Sequence, residues 1–415
     1  MFLSFLLGST IPSAVGQPTI SDPKFKAELI FRGLDFPTGM AFLKTDDFLV
    51  SEKQNGTIQR ITDGQTSEKP LLDIPVASEG ERGLLGIAVE EEDRNGQDPL
   101  YVFLYYTESA TGKDDDNIAG EHDEPLGNRV YRYELDHGEL KNGKLLLDLP
   151  AVHPPNIIPF HNGGNLMIGP DHHIYLVIGD LNSRRTQSQN IQDGPEPDGT
   201  STIYRITKDG EAVAGNPFED IEGFDKYYAY GIRNSFGMDF DPVTSDLWDT
   251  ENGPDRGDEI NLVEPGFNSG AIRVYGMSTN ENSGPNNLVN FDGRGKYSDP
   301  EFVWEIPIGV TALQFLDSEK YGKDYENDIF IGDINHGNIY HFDLNDERDK
   351  LSLYDDLEDK IADTTEELDS VVFARGFGGI TDMEVGPDGY LYILTINRFQ
   401  EDNEGSIYRI VPISD

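Results

Sequence analysis

The chain has 415 residues, and 77 acidic against 32 basic side chains leave a formal net charge of −45. Such a surface repels nucleic acid and anionic membranes; it reads first as a solubility adaptation, to salt for example, and second as an attraction for a cationic partner or Ca²⁺. The absence of cysteine excludes disulfides and thiolate chemistry.

In chain order, residues 1–20 are expected to be a signal or N-terminal segment. Met1 to Gly16 runs from an apolar stretch into small residues, as in a secretory leader, although without its basic start. This predicts a secreted protein, extracellular, periplasmic or held at the cell surface. No second apolar run is long enough for a membrane span. Residues 21–415 are expected to form a single domain.

That domain repeats one unit: an apolar strand, a turn with Asp, Gly or Pro, a second strand, and often a third run in the style of Ile-Tyr-Arg-Ile. The first copy runs from Gly39 to Phe42, Phe48 to Val50 and Gly56 to Ile61, and the second from Gly83 to Val89, Leu100 to Tyr106 and Arg129 to Tyr133. The third has Leu166 to Ile168, a Gly169-Pro170-Asp171 turn, Ile174 to Ile178 and Ser201 to Ile206. Later copies start at Gly237, Val310 and Ile380. Six imperfect repeats of short strands predict an all-β fold, a six-bladed β-propeller with loop insertions. The largest insertions are expected at 114–126, 184–200, 275–303 and 345–370. The last, with Leu351, Leu357, Ile361 and Leu368, has the makings of a helical turn.

In a propeller the inner strands line a central channel, so residues at their starts converge although distant in sequence. Those residues are Glu81-Arg82, His161-Asn162, Arg233-Asn234, Arg375 and Thr381-Asp382. A base, guanidiniums and amides together suit an anionic or carbonyl-bearing ligand. The hairpin of the third copy also brings Asp180 back toward His161, and a carboxylate beside an imidazole prepares a general base. The loop from Asp249 to Glu259 is rich in oxygen donors and Gly, as hard cations require, and reads equally as an acidic turn.

The segments HNGGNLMIGPDHHIYLVIGD, YGIRNSFGMDFDPVTSDLWDTENGPDRGDEINLVEPGFNSG, ERGLLGIAV and GGITDMEVGPDGYLYILT resemble the soluble pyrroloquinoline-quinone (PQQ) dependent sugar dehydrogenases, from about Leu34 to Ile410. The resemblance implies that His161 is the catalytic base, that Asp180 holds it, and that Arg233, with Asn234 beside it, sits over a quinone carbonyl. Glu81, Arg82 and Thr381 would complete the cofactor site. Carbonyls of Gly253 and Pro254 would hold the Ca²⁺ that anchors PQQ, and Glu259 with a carbonyl near Ser269 a second Ca²⁺. The implied reaction oxidises an aldose at its anomeric carbon to a lactone, with an external electron acceptor. The chain departs from the pattern at Glu81-Arg82, at Phe236, and at Gly379-Ile380-Thr381-Asp382, where many members carry arginines. Arg82, Arg375 or Arg398 would have to supply those cations. A secreted propeller that binds carbohydrate or protein without redox chemistry is the competing reading. A Ca²⁺-dependent lactonase-like hydrolase ranks behind both.

Overall fold

The computed structural model describes residues 17–90, 100–114, 125–154, 157–182, 185–278, 287–397 and 404–413. Residues 1–16 of the expected leader, most of the 114–126 insertion and Arg398 lie outside them.

The protein is an all-β propeller, with one short α-helix, Thr365–Ser370, among the described residues. The strands of the described residues form six sheets. Their inner strands are Pro37–Lys44, Leu84–Glu90, Leu166–Ile168, Ser235–Phe240, Val310–Phe315 and Gly379–Val385. Neighbouring sheets touch in that order, the third and fourth through Ile174–Ile178 against Ser235–Phe240, and the last returns to the first, so the ring is closed. Six apolar clusters fill the six gaps between adjacent sheets. Leu49, Val50, Leu104, Val177, Ile331 and Ile393, all on second strands, are wholly buried in them. A strand covered on both faces reads as a continuous apolar run, and these runs carried the repeat in the sequence.

Chain ends close the ring. Phe25–Asp35 pairs antiparallel with Glu404–Pro412 and becomes the outer strand of the last sheet. Thr19–Ile20, inside the segment expected to be a leader, pairs with Ala374 and Arg375 at the edge of the preceding sheet.

The insertions are only partly irregular. Phe302–Trp304, at the end of the 275–303 insertion, is the fourth strand of its sheet and carries Ile361–Ala362 from the 345–370 insertion in parallel. These strands are too short to show period-two alternation. The expected helical turn is Thr365–Ser370, started by a capping box in which Thr364 accepts from the Glu367 N–H.

Candidate functional site

Five inner strands share one irregularity. Between Pro37 and Gly39, Leu84 and Gly86, Ser235 and Gly237, Val310 and Ala312, and Ile380 and Asp382, the register with the second strand slips by one residue. A bulge leaves one residue unpaired and re-aims it. The skipped residues are Thr38, Leu85, Phe236, Thr311 and Thr381, and all five line a single axial cavity of about 550 Å³. The channel mouth is thus built by one repeated backbone device.

His161 stands at this cavity. Its Nδ1 lies 2.5 Å from Asp180 Oδ1. The Asp180 side chain is 1 % exposed and that of His161 13 %. Nδ1 is committed to the carboxylate, so Nε2 remains for the cavity. The backbone pays for this placement: His161 has φ +65°, a left-handed conformation unusual for a side-chain-bearing residue. Its N–H donates to Glu81 Oε2 at 2.6 Å. A Cβ on Gly179 would lie 2.5 Å from the His161 carbonyl and 2.4 Å from that of Arg233, so only glycine lets the two segments approach.

Arg233 also lines the cavity. Its N–H donates to Glu251 Oε1 at 2.8 Å and its guanidinium to the Asn252 carbonyl at 2.7 Å. Asn234 Nδ2 donates to Glu81 Oε2 at 3.2 Å, while Asn234 Oδ1 is buried without a partner. The Asn165 Oδ1 atom, also on the cavity, is in the same state. Burial raises the Glu81 carboxyl above its usual range, against the N–H groups of His161 and Asn162 and the Asn234 amide that favour its charge.

Not every expected residue converges. Arg82 is not at the cavity: it is buried behind it, donating to the Ala151 carbonyl at 2.6 Å and lying 3.1 Å from His153 Nδ1. Glu81 and Arg82 lie in the turn before the strand that starts at Leu84, where the Arg82 N–H donates to the Glu79 carbonyl at 3.1 Å, and this turn leaves Glu81 on the cavity and Arg82 behind it. Arg375 sits on an outer strand and is paired with Asp369 at 2.6 Å. Thr381 is at the cavity.

The cation that sequence reasoning missed is Lys53. It is 6 % exposed, lines the cavity, and donates to the Ser78 carbonyl at 2.9 Å. Burial lowers its ammonium pKa to about 8, and Glu81 partly offsets this. The signal lay in the repeat: Lys53 follows the second strand of its copy, near the level that Asp180 and Asn252 occupy in theirs. Asp382 and Glu384 also face the cavity. Burial pushes Asp382 up to about 7 and Glu384 well above its usual range.

Among the expected metal residues, Gly253 lines the cavity, while Pro254 is exposed and outside it. Asp258 fixes the loop, accepting from the Gly253 N–H at 2.9 Å and the Ile308 and Gly309 N–H groups at 2.8 Å. Glu259 is buried, accepts from the Gly276 N–H, and stands opposite Glu251 in the ladder. Ser269 Oγ donates to Glu251 Oε2 at 2.7 Å. Burial pushes Glu259 up to about 8, and burial with the charges of Glu259 and Asp249 raises Glu251 well above normal.

A closed all-β propeller with a carboxylate-held imidazole, an arginine and a buried lysine on its axial cavity defines the class. The chain belongs to the glucose/sorbosone dehydrogenase family, whose model matches residues 34–409. It is 25% identical over 393 residues to aldose sugar dehydrogenase YliI of Escherichia coli, covering 93% of this chain and 92% of that protein. It is 28% identical over 270 residues to quinoprotein glucose dehydrogenase B of Acinetobacter calcoaceticus, covering 61% of this chain and 53% of that one. The apo-form soluble aldose sugar dehydrogenase of E. coli superimposes with a TM-score of 0.69 at 23% identity over 94% of this chain and 100% of that one. The PQQ-bound aldose sugar dehydrogenase of Streptomyces coelicolor gives 0.65 at 22% over 93% and 98%. No helix among the described residues is long and apolar enough to cross a membrane.

Proposed function

We propose that this protein is a PQQ- and Ca²⁺-dependent sugar dehydrogenase that oxidises an aldose at its anomeric carbon, each of the six sheets serving as one blade. The observation that carries this reading is the His161–Asp180 pair at 2.5 Å on the same cavity as Arg233. The relatives named as aldose and glucose dehydrogenases supply the reaction class.

The cavity's cations fit an anionic quinone: Lys53 and Arg233 stand on its wall. The unpartnered Asn165 and Asn234 Oδ1 atoms are acceptors, which suit the hydroxyl groups of a sugar. Gly253 and Pro254 carbonyls would hold an anchoring Ca²⁺, and Glu259 with the Ser269 carbonyl a second one. A bound PQQ supplies the two-electron, hydride-accepting chemistry. His161 Nε2 takes the proton of the anomeric hydroxyl, and the buried Asp180 carboxylate fixes the tautomer and stabilises the imidazolium. Loss of the anomeric hydride leaves the carbon as a lactone carbonyl. Arg233 offers a fixed positive charge to oxygens that gain electron density. An external acceptor takes up the electrons, and the acidic surface together with the leader-like stretch from Met1 to Gly16 supports work outside the cytoplasm.

A second reading, a secreted propeller that binds carbohydrate without redox chemistry, draws on the three carboxyl groups Glu81, Asp382 and Glu384 around the same cavity. Spectral titration with PQQ in the presence of Ca²⁺, followed by dye reduction with aldoses, separates the two. Folded protein that binds no quinone sinks the dehydrogenase reading.

A further inference from the structure

We propose that Asp328, His341 and Asp343 form a second, non-catalytic site for a divalent transition metal of the Zn²⁺ class. None of the three lines the axial cavity, and none belongs to the sites assigned above.

The placement is set by one antiparallel pair. Strands Ile329–Asp333 and Ile339–Phe342 place Phe330 opposite His341 and Ile329 opposite Phe342. Continuing that register puts Asp328, just before the first strand, across from Asp343, just after the second. Two carboxylates facing each other across strands repel unless a cation lies between them. His341 Nε2 points into that gap, 2.9 Å from Asp328 Oδ2 and 3.4 Å from Asp343 Oδ1. The ligand atoms all lie within 4.8 Å of one another. Two ligands at ordinary Zn–N and Zn–O lengths on a tetrahedral ion stand about 3.3 Å apart, so small side-chain movements let one ion replace the direct contacts.

The imidazole cannot swing away. Tyr325 and Phe330 each hold their ring centroid 5.0 Å from that of His341, and Phe373 stands at 6.3 Å. The His341 N–H donates to the Val371 carbonyl at 2.9 Å. An apolar wall behind a polar ligand set stiffens it and limits water on that side. Asp343, with its side chain 50 % exposed, leaves the other side open for entry and for a water ligand. A nitrogen donor between two carboxylates favours Zn²⁺, Ni²⁺ or Co²⁺ over Ca²⁺. Without metal, the same gap is held by the direct contacts of His341 with Asp328 and Asp343, which is the competing account of the cluster.

Calorimetric titration of chelator-treated full-length protein with ZnCl₂ in excess Ca²⁺ tests the site. The wild type is expected to show one Zn²⁺ site that weakens at least tenfold in both D343N and H341Q. A Co²⁺ titration of the wild type is expected to give a visible ligand-field band that D343N lacks. D343N alters an exposed side chain, so an unchanged melting temperature shows that the fold survives. An isotherm identical in wild type and D343N, or no Zn²⁺ uptake by the wild type, overturns the proposal and leaves the direct-contact account. PQQ titration of the same variants is expected to match the wild type, so this result stands apart from the dehydrogenase reading.

Discussion

The Asp180 N–H donates to the Arg233 carbonyl oxygen at 2.9 Å, while the Asp180 side chain holds His161. One residue thus ties the proposed base to Arg233, the proposed fixed charge on the link between the third and fourth sheets. His161→Ala should lower dye-linked turnover by roughly 10²–10⁴-fold, the usual worth of a general base, with quinone affinity nearly intact. Asp180→Asn should cost a comparable factor by releasing the wrong imidazole tautomer. Single-turnover kinetics with a saturating aldose check both; normal turnover in His161→Ala removes it as base.

Gly179 is where this tie is most fragile. A Cβ there meets carbonyl oxygens at 2.4 and 2.5 Å, and neither belongs to a flexible side chain. Gly179→Ala should therefore destabilise the fold by about 3 kcal/mol or more, as overpacking against backbone does. Denaturant unfolding measures it. A loss within ~0.5 kcal/mol, the range of ordinary surface substitutions, would show that the two segments part easily.

Much of this was legible in the sequence because propeller strands announce themselves. Leu166–Ile168 and Ile174–Ile178 pair as expected, and the turn between them delivers His161 and Asp180 to one another. What failed was resolution within a unit. Glu81 and Arg82 are neighbours that point opposite ways, and residue type alone does not say which faces the axis. Lys53 was hidden because a single lysine after a strand looks like any surface lysine; only the closed ring buries it. The bulges that turn Thr38, Phe236, Thr311 and Thr381 inward are a backbone property with no residue signature. Outer strands such as Phe302–Trp304 passed for loops because three residues carry no period.

Lys53 should act as the second cation for an anionic cofactor. Lys53→Met is expected to weaken PQQ about 10- to 100-fold, the worth of one charge-assisted hydrogen bond, without lowering thermal stability, since a costly buried ammonium is removed. With its pKa lowered to about 8 by burial, the lysine is charged below that value and neutral above it. Affinity should fall as pH rises past about 8, while Lys53→Arg should hold its affinity to higher pH. Fluorescence titrations between pH 6 and 10 follow this. Equal affinity in Lys53→Met and wild type at pH 7 would take Lys53 out of the site.

The buried carboxyls make stability depend on pH in an unusual direction. Burial pushes Asp239, Asp249 and Asp382 up to about 7 and Glu259 up to about 8, from ordinary values near 4. Between about pH 4 and pH 8 the native protein then binds more protons than the unfolded chain, so stability falls as pH rises. In chelator, the melting temperature should drop by ~5 °C or more between pH 5 and pH 8. Surface repulsion in an acidic chain acts in the same direction, so the specific check is Asp249→Asn, which removes one of these groups and should flatten the slope. Saturating Ca²⁺ at pH 8 should restore part of the loss, because an ion held by Glu259 binds only the native state and replaces its proton. A melting temperature that is flat or rising over this range, or a slope unchanged in Asp249→Asn, would mean that these carboxyls are ionised in the native protein and draw their compensation from elsewhere.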